Sequence, residues 1–210
     1  MFSLYIFDLD GTLIDSRKDI ANAVNRTFRD LKLPALPEET IYSFVGNGVY
    51  RLLTDATGSD DPVFLEKTLK IFEGHYLAHL LDDTALYPGM AELLAQNKNK
   101  RKSVATNKRM QFTDKIIDGL CPNDFECVFG AQAGMKLKPD PEMILRTLDA
   151  LNVPANETVL IGDMLNDIYA ARAAGIKICS VGYGFGNESE LKEAHPDFYF
   201  RTVQELHAIF

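Results

Sequence analysis

The chain has no tryptophan, and cysteine occurs three times, at Cys121, Cys127 and Cys179. An odd count without metal-like spacing offers neither a disulfide framework nor a zinc site, so the three are expected to be reduced packing residues of a cytoplasmic protein. Positive charge is in deficit. Lys and Arg number 22 against 30 Asp and Glu, a net charge of −8, which argues against a nucleic-acid partner. Long apolar runs are missing too: none approaches the roughly 20 residues that cross a bilayer, and no membrane partner is expected. No basic segment followed by a long apolar stretch precedes the first strand, so no secretory signal is expected. Neither an internal repeat nor a low-complexity segment interrupts the 210 residues. That length, with 46% hydrophobic and 25% charged residues, suits a globular fold of one domain, or one domain plus a smaller insert.

What the sequence does have is the stretch Leu4–Ser16, LYIFDLDGTLIDS. Leu4 to Phe7 form a short apolar run, punctuated soon after by Gly11-Thr12, and this predicts a buried strand. Asp8 and Asp10 follow at i and i+2, on one face of the extended chain. Two carboxylates at a buried strand end repel each other and lose hydration. One reading makes them turn and capping residues. The other makes them a cation site, and a hard divalent ion such as Mg²⁺ suits oxygen ligands.

From Ser16 onward the period becomes helical. Ser16 is a candidate cap with Asp19 as its partner, and Ile20, Val24, Phe28 and Leu31 make the first stripe. A short helix through Ile41 and Phe44 ends at Gly46-Asn47-Gly48, read either as a plain interhelix turn or as a loop whose backbone N–H groups approach an anion. Helices through Val49–Ala56 and from Asp61 to about Leu81 complete a segment, 16–84, with no strand signal. After Tyr87-Pro88-Gly89, strands (Ser103–Thr106, Cys127–Gly130, Thr158–Ile161, Ile176–Val181) alternate with helices. The basic stretch Lys98–Lys102 reads as a helix C-terminus. The expected fold is therefore α/β: a doubly wound parallel sheet from 1–15 and 85–210, with an all-helical cap domain inserted at 16–84. The apolar stripe Leu65–Leu80 leaves monomer and homodimer both open.

In such a sheet ligands bind at the carboxyl ends of the strands. There the sequence places Asp8, Asp10, Gly11 and Thr12, then Thr106-Asn107-Lys108, the loop Lys136-Leu137-Lys138-Pro139-Asp140-Pro141, and Gly162-Asp163 with Asp167 beyond. Acidic groups, hydroxyl, amide and backbone donors, and a lysine form a phosphate-handling set. Taken singly, Thr106-Asn107 reads equally as a strand-end turn, Lys138 as a solvated loop residue, and Asp163 and Asp167 as helix-start residues. Arg17, Lys18 and Arg51 read as solvated surface rather than as anchors for a substrate carboxylate. His75 and His79 lie at i and i+4 without a third ligand in view, too few for a metal site.

The ordered set DLDGTLIDS, ATNK, KPDP, GDMLND resembles the four motifs of the haloacid dehalogenase superfamily in its phosphatase branch, over essentially the whole chain. The resemblance implies Asp8 as nucleophile, Asp10 as acid and then base, and Thr106 and Lys138 on the phosphoryl oxygens. It also implies Mg²⁺ held by Asp8, the backbone carbonyl of Asp10 and Asp163, with Asp167 in support. Gly11, Thr12, Asn107, Gly46, Asn47 and Gly48 are the expected phosphate- or substrate-binding residues. Asp10 stands where dehalogenases lack the second acid, and no histidine lies between Asp15 and Gly74, where hexose phosphomutases usually carry one. The similarity is greatest to the phosphoglycolate phosphatases. It implies hydrolysis of a small phosphoester, with pyrophosphatase, sugar-phosphate phosphatase or phosphomutase chemistry, and a non-catalytic phosphate-binding role, as alternatives.

Overall fold

Leu4, Tyr5, Ile6 and Phe7 are all wholly buried and form β1 (Leu4–Phe7) of a computed structural model that describes residues 2–210. Strand β1 is flanked on both sides by parallel neighbours, β4 (Arg101–Arg109) and β6 (Thr158–Gly162). β5 (Cys127–Ala131) lies outside β4, and β7 (Lys177–Val181) and β8 (Phe198–Phe200) outside β6. The result, among the described residues, is a six-stranded sheet in the order β5-β4-β1-β6-β7-β8 with every pairing parallel.

Strand periodicity divides the core into two layers. Tyr5, Phe7, Val159, Ile161 and Val181 face a cluster that includes Leu93 and Leu94 of α5 (Met90–Gln96) and Phe112 and Ile116 of α6 (Met110–Leu120). Leu4, Ile6, Leu160 and Ile178 face another, with Met143 and Ile144 of α7 (Glu142–Leu151) and Ile168, Ala170 and Ala171 of α8 (Leu165–Ala174). A buried parallel sheet needs helices on both faces, and the near-continuous apolar strands reflect that.

The expected all-helical run is present. Helices α1 (Arg17–Asp30), α2 (Glu38–Tyr42), α3 (Val49–Thr57) and α4 (Pro62–His79) lie between the first two motifs. Ile20, Val24 and Phe28 of α1 and Leu65, Leu69, Phe72 and Tyr76 of α4 are buried in the same apolar cluster, and α1 and α4 pack together. Two short strands at its root were not foreseen: β2 (Ile14–Asp15) pairs antiparallel with β3 (Ala85–Leu86).

Three local expectations are corrected. Ser16 makes no side-chain cap on α1, because its hydroxyl donates to Asp10 instead. Asp19 is buried and accepts from the Asp83 and Thr84 backbone N–H groups and from the Thr84 hydroxyl, tying the start of the insert to its end. Lys102 lies in β4 rather than at a helix end. Its ammonium nevertheless reaches back to the Asn97 and Lys100 carbonyls, at 2.6 and 3.1 Å, beyond the last turn of α5. His75 and His79 pair separately with Asp30 and Asp82. The cysteines are unpaired.

Candidate active site

The Asp8 backbone N–H donates to the Ile161 carbonyl at 2.8 Å, extending the β1 ladder one residue past its last buried apolar side chain. Asp8 therefore leaves the sheet at the carboxyl edge, between the ends of β4 and β6, where ligands of such sheets gather. The chain then turns sharply at Gly11, which has φ +85°. A Cβ there would fall 2.1 Å from Asp163 Oδ2, so both the turn and the approach require glycine. Gly184, in the loop after β7, closes the other side: its Cβ would lie 2.4 Å from Asp163 Cβ and 2.3 Å from the Gly11 carbonyl.

Asp163 is thus enclosed by two backbones. Its oxygens accept from the Thr12 hydroxyl at 3.0 Å and the Phe185 N–H at 2.7 Å. Asp8, Asp163 and Asp167 each offer a carboxylate oxygen to one cluster, with these atoms within 4.8 Å of one another, all three residues being buried. Lys138, only 3% exposed, is the cation that joins two of them, Asp8 and Asp167. Its Nζ lies 2.6 Å from Asp167 Oδ1 and 2.8 Å from Asp8 Oδ1. The contact to Asp8 is one of charge, because that oxygen completes no hydrogen bond.

Burial pushes the Asp8 carboxyl up to about 6; Lys138 opposes this and Asp167 adds to it. Asp163 is raised by burial, then by Asp8 and Asp167. Burial pulls the Lys138 ammonium down, but Asp167 and Asp8 outweigh it and keep it charged. Three clustered carboxylates thus have one lysine, paired with two of them, and the Asp8 oxygen without a hydrogen bond is directed into this cluster. An all-oxygen, negatively charged donor set of this kind fits a hard divalent cation such as Mg²⁺.

The Asp10 carboxylate stands apart from that cluster. It takes both oxygens to Lys108 Nζ, at 2.8 and 3.0 Å, and accepts from Ser16. The Lys108 ammonium in turn lies 4.9 Å from the ring centroid of Tyr76 on α4. Asp8, Asp10, Thr106 and Lys108 line a tight cavity of about 50 Å³, roofed by Ile20, Val45, Val49, Leu52 and Phe72 of the helical insert. Gly48, Val49, Asn107 and Arg109 also border a broader surface groove alongside. Arg109 is ion-paired there with Glu73 of α4.

The remaining expected residues divide. Gly46 and Gly48 line the cavity, whereas Asn47 is exposed and outside its lining. The Gly46 carbonyl, not an N–H, makes the bonds across the gap: it accepts from Asn107 at 3.3 Å and Asn166 at 3.1 Å. Asn107 also donates to the Lys138 carbonyl at 3.0 Å and accepts from the Lys138 N–H at 2.8 Å, so it positions Lys138. Thr12 is buried with its hydroxyl committed to Asp163 rather than free for a phosphate. Of the three surface cations, Lys18 and Arg51 pair with Glu38 and Asp55. Arg17 pairs with Asp15 and stacks over Tyr42 and Phe185.

Three residues of the site carried no expected role. Lys108 stands two residues after Thr106, repeating on β4 the i, i+2 spacing of Asp8 and Asp10, and that repeat was the available signal. Ser16 was hidden behind a capping pattern. Tyr76 was hidden in an apolar stripe, of which it is the one hydroxyl-bearing member among Leu65, Leu69, Phe72 and Leu80.

Comparison with known proteins agrees with this geometry. The sequence profile of the haloacid dehalogenase-like hydrolases matches residues 5–181. The phosphoglycolate phosphatase of Colwellia psychrerythraea is 36% identical over 96% of this chain and 93% of that protein. That of Nitrosospira multiformis is 34% identical over 95% and 92%. Among solved structures, a predicted phosphoglycolate phosphatase from Haemophilus somnus superposes with a TM-score of 0.92 at 26% identity, covering 99% of this chain and 97% of that one.

Proposed function

Because this chain belongs to the haloacid dehalogenase-like hydrolases, and is a phosphoric monoester hydrolase, we propose that it releases phosphate from a small phosphomonoester by way of an aspartyl phosphate on Asp8, with 2-phosphoglycolate as the substrate. The observation that carries this reading is the Asp8 carboxylate itself, facing the cavity with Thr106 beside it and Lys138 2.8 Å away. A carboxylate is a weak nucleophile and attacks phosphorus only when the phosphoryl charge ahead of it is neutralised.

In the first step an Asp8 oxygen forms a bond to phosphorus while the ester P–O bond breaks, and Asp10 gives its proton to the departing alkoxide. In the second, water attacks the phosphoaspartate, Asp10 takes a proton from it, and orthophosphate leaves with Asp8 regenerated. Lys138 and the Thr106 hydroxyl hold the phosphoryl oxygens. Lys108 and Ser16 fix Asp10 at the leaving-group side of the cavity. Mg²⁺, held by Asp8, Asp163 and the Asp10 backbone carbonyl with Asp167 in support, would supply charge neutralisation at the phosphoryl group.

The helical insert, 16–84, acts as a cap domain. Its roof over the cavity excludes bulk water, and it must open to admit substrate. The unpaired cysteines suit the reducing cytoplasm. Phosphate release over a panel of phosphoesters and pyrophosphate, with Mg²⁺ and with Asp8→Asn as control, tests the reading. Turnover that survives in Asp8→Asn rules out the nucleophile, and a panel in which pyrophosphate exceeds every ester rules out the substrate class.

A further inference from the structure

The Tyr76 hydroxyl is an anomaly. Tyr76 is 1% exposed, its oxygen has no hydrogen-bond partner, and it lines the catalytic cavity. A buried hydroxyl left unpaired carries a penalty that Phe would avoid, and Phe72 and Phe112 pack around the ring at centroid distances of 5.5 and 4.9 Å without any polar need. The second anomaly is next to it. Lys108 has three protons on Nζ and directs its two hydrogen bonds to the Asp10 oxygens. The ammonium lies 4.9 Å from the Tyr76 ring centroid, so the Lys108 cation and the Tyr76 hydroxyl stand as neighbours beside Asp10.

We propose that Lys108 and Tyr76 together form the recognition site for a carboxylate carried on the leaving group, making them the specificity-determining pair for phosphate esters of short hydroxy acids. The proposal rests on the phosphatase reading above and assigns its selectivity to named atoms. Both groups donate: Lys108 N–H to one carboxylate oxygen, Tyr76 O–H to the other. The length of the substrate follows from the walls. Ile20, Phe72 and Phe112 close the apolar side of a cavity of about 50 Å³ and bring its wall close to Asp10, which favours a compact anion there. A second phosphate fits less well, since the single ammonium is already shared with Asp10. The insert thereby reads the substrate directly, because Tyr76 lies on α4 while Lys108 lies on β4.

The test compares kcat/KM for 2-phosphoglycolate and for ethyl phosphate, which keeps the ester and lacks the carboxylate, in wild type, Tyr76→Phe and Lys108→Met. The expected wild-type ratio is tens-fold in favour of the acid. Tyr76→Phe, which preserves the ring packing, should lower that ratio by about 5- to 10-fold, mostly through KM, and Lys108→Met should bring it close to one. The ratio is the informative quantity, because a change in Asp10 placement alone lowers both substrates together. Equal loss on both esters, or a wild-type enzyme with no preference for the acid, overturns the proposal and leaves the phosphatase reading standing. Failure of the wild type to hydrolyse either ester overturns both.

Discussion

Lys138→Met removes the cation paired with Asp8 and Asp167, two of the three clustered buried carboxylates, while keeping most of the side chain's volume. Lys138 is almost fully buried and contacts Asp167 and Asp8 at 2.6 and 2.8 Å, and Asp163 lies in the same cluster. Breaking a buried ion pair from one side costs about 3–5 kcal/mol, because the partner charge stays behind uncompensated. Proton uptake by Asp8, whose carboxyl already sits near 6, relieves part of this and places the expected loss toward the lower figure. For a chain of this size, roughly 2–4 °C of melting temperature accompanies each kcal/mol, so a drop of roughly 10 °C is expected at pH 7.5 in EDTA. Two further readings separate electrostatics from packing. The drop should shrink at pH 5.5, where the Asp8 carboxyl accepts a proton. It should also shrink on adding millimolar Mg²⁺, which replaces the missing positive charge. Thermal melts followed by far-UV circular dichroism suffice. A Lys138→Met protein that melts within about 2 °C of wild type in EDTA at pH 7.5 refutes the argument that Lys138 carries the electrostatic balance of the site.

Asp8→Asn should show the complementary pH dependence in metal-free protein. The Asp8 carboxyl is raised from 3.8 to about 6 on folding, so between those values the folded state binds more protons than the unfolded one, and stability falls as pH rises through that window. The melting temperature of Asp8→Asn relative to wild type should climb between about pH 4 and 6 and level off above; a difference independent of pH refutes the assignment. Gly184→Ala forces a methyl group against Asp163 and the Gly11 carbonyl and should cost about 1–3 kcal/mol, measured as a lowered urea midpoint at unchanged slope. Asp19→Ala strips the acceptor from the Asp83 and Thr84 amides, and a loss of about 2–4 kcal/mol is expected. Hydrogen exchange at those two amides should accelerate, and unchanged protection would show that the tie is dispensable.

The sheet was legible because its strands are buried on both faces. Leu4–Phe7 and Thr158–Ile161 read as short apolar runs, and burial leaves such runs no other home. Of the acidic cluster, Asp8 stood out as a charge ending a buried apolar strand, whereas Asp163 and Asp167 read singly as helix-start residues and stood out only through the ordered motif set. Residues whose local pattern also fits a common motif escaped. Ser16 and Asp19 match a capping box in spacing, yet tertiary partners, Asp10 for one and the 83–84 backbone for the other, take their side chains. Lys108 escaped because the sequence does not show that a strand-end lysine will be enclosed. Tyr76 escaped because a helical stripe says which face is buried, not which atom on it will lack a partner. The two-residue strands β2 and β3 lie below the length at which periodicity carries any signal.

The β2–β3 ribbon alters how the sheet experiences the four helices between them. Ile14 pairs with Leu86 and Asp15 with Ala85, so the two ends of the helical run meet side by side. Seen from the sheet, four helices have the footprint of a hairpin, and the entropic cost of closing the excursion grows only with the logarithm of its length. Closing the excursion at the ribbon therefore costs little more for four helices than for a short loop, and the contacts that seat the insert on the sheet side, such as Tyr76 against Phe112 and Glu73 against Arg109, are made above that point.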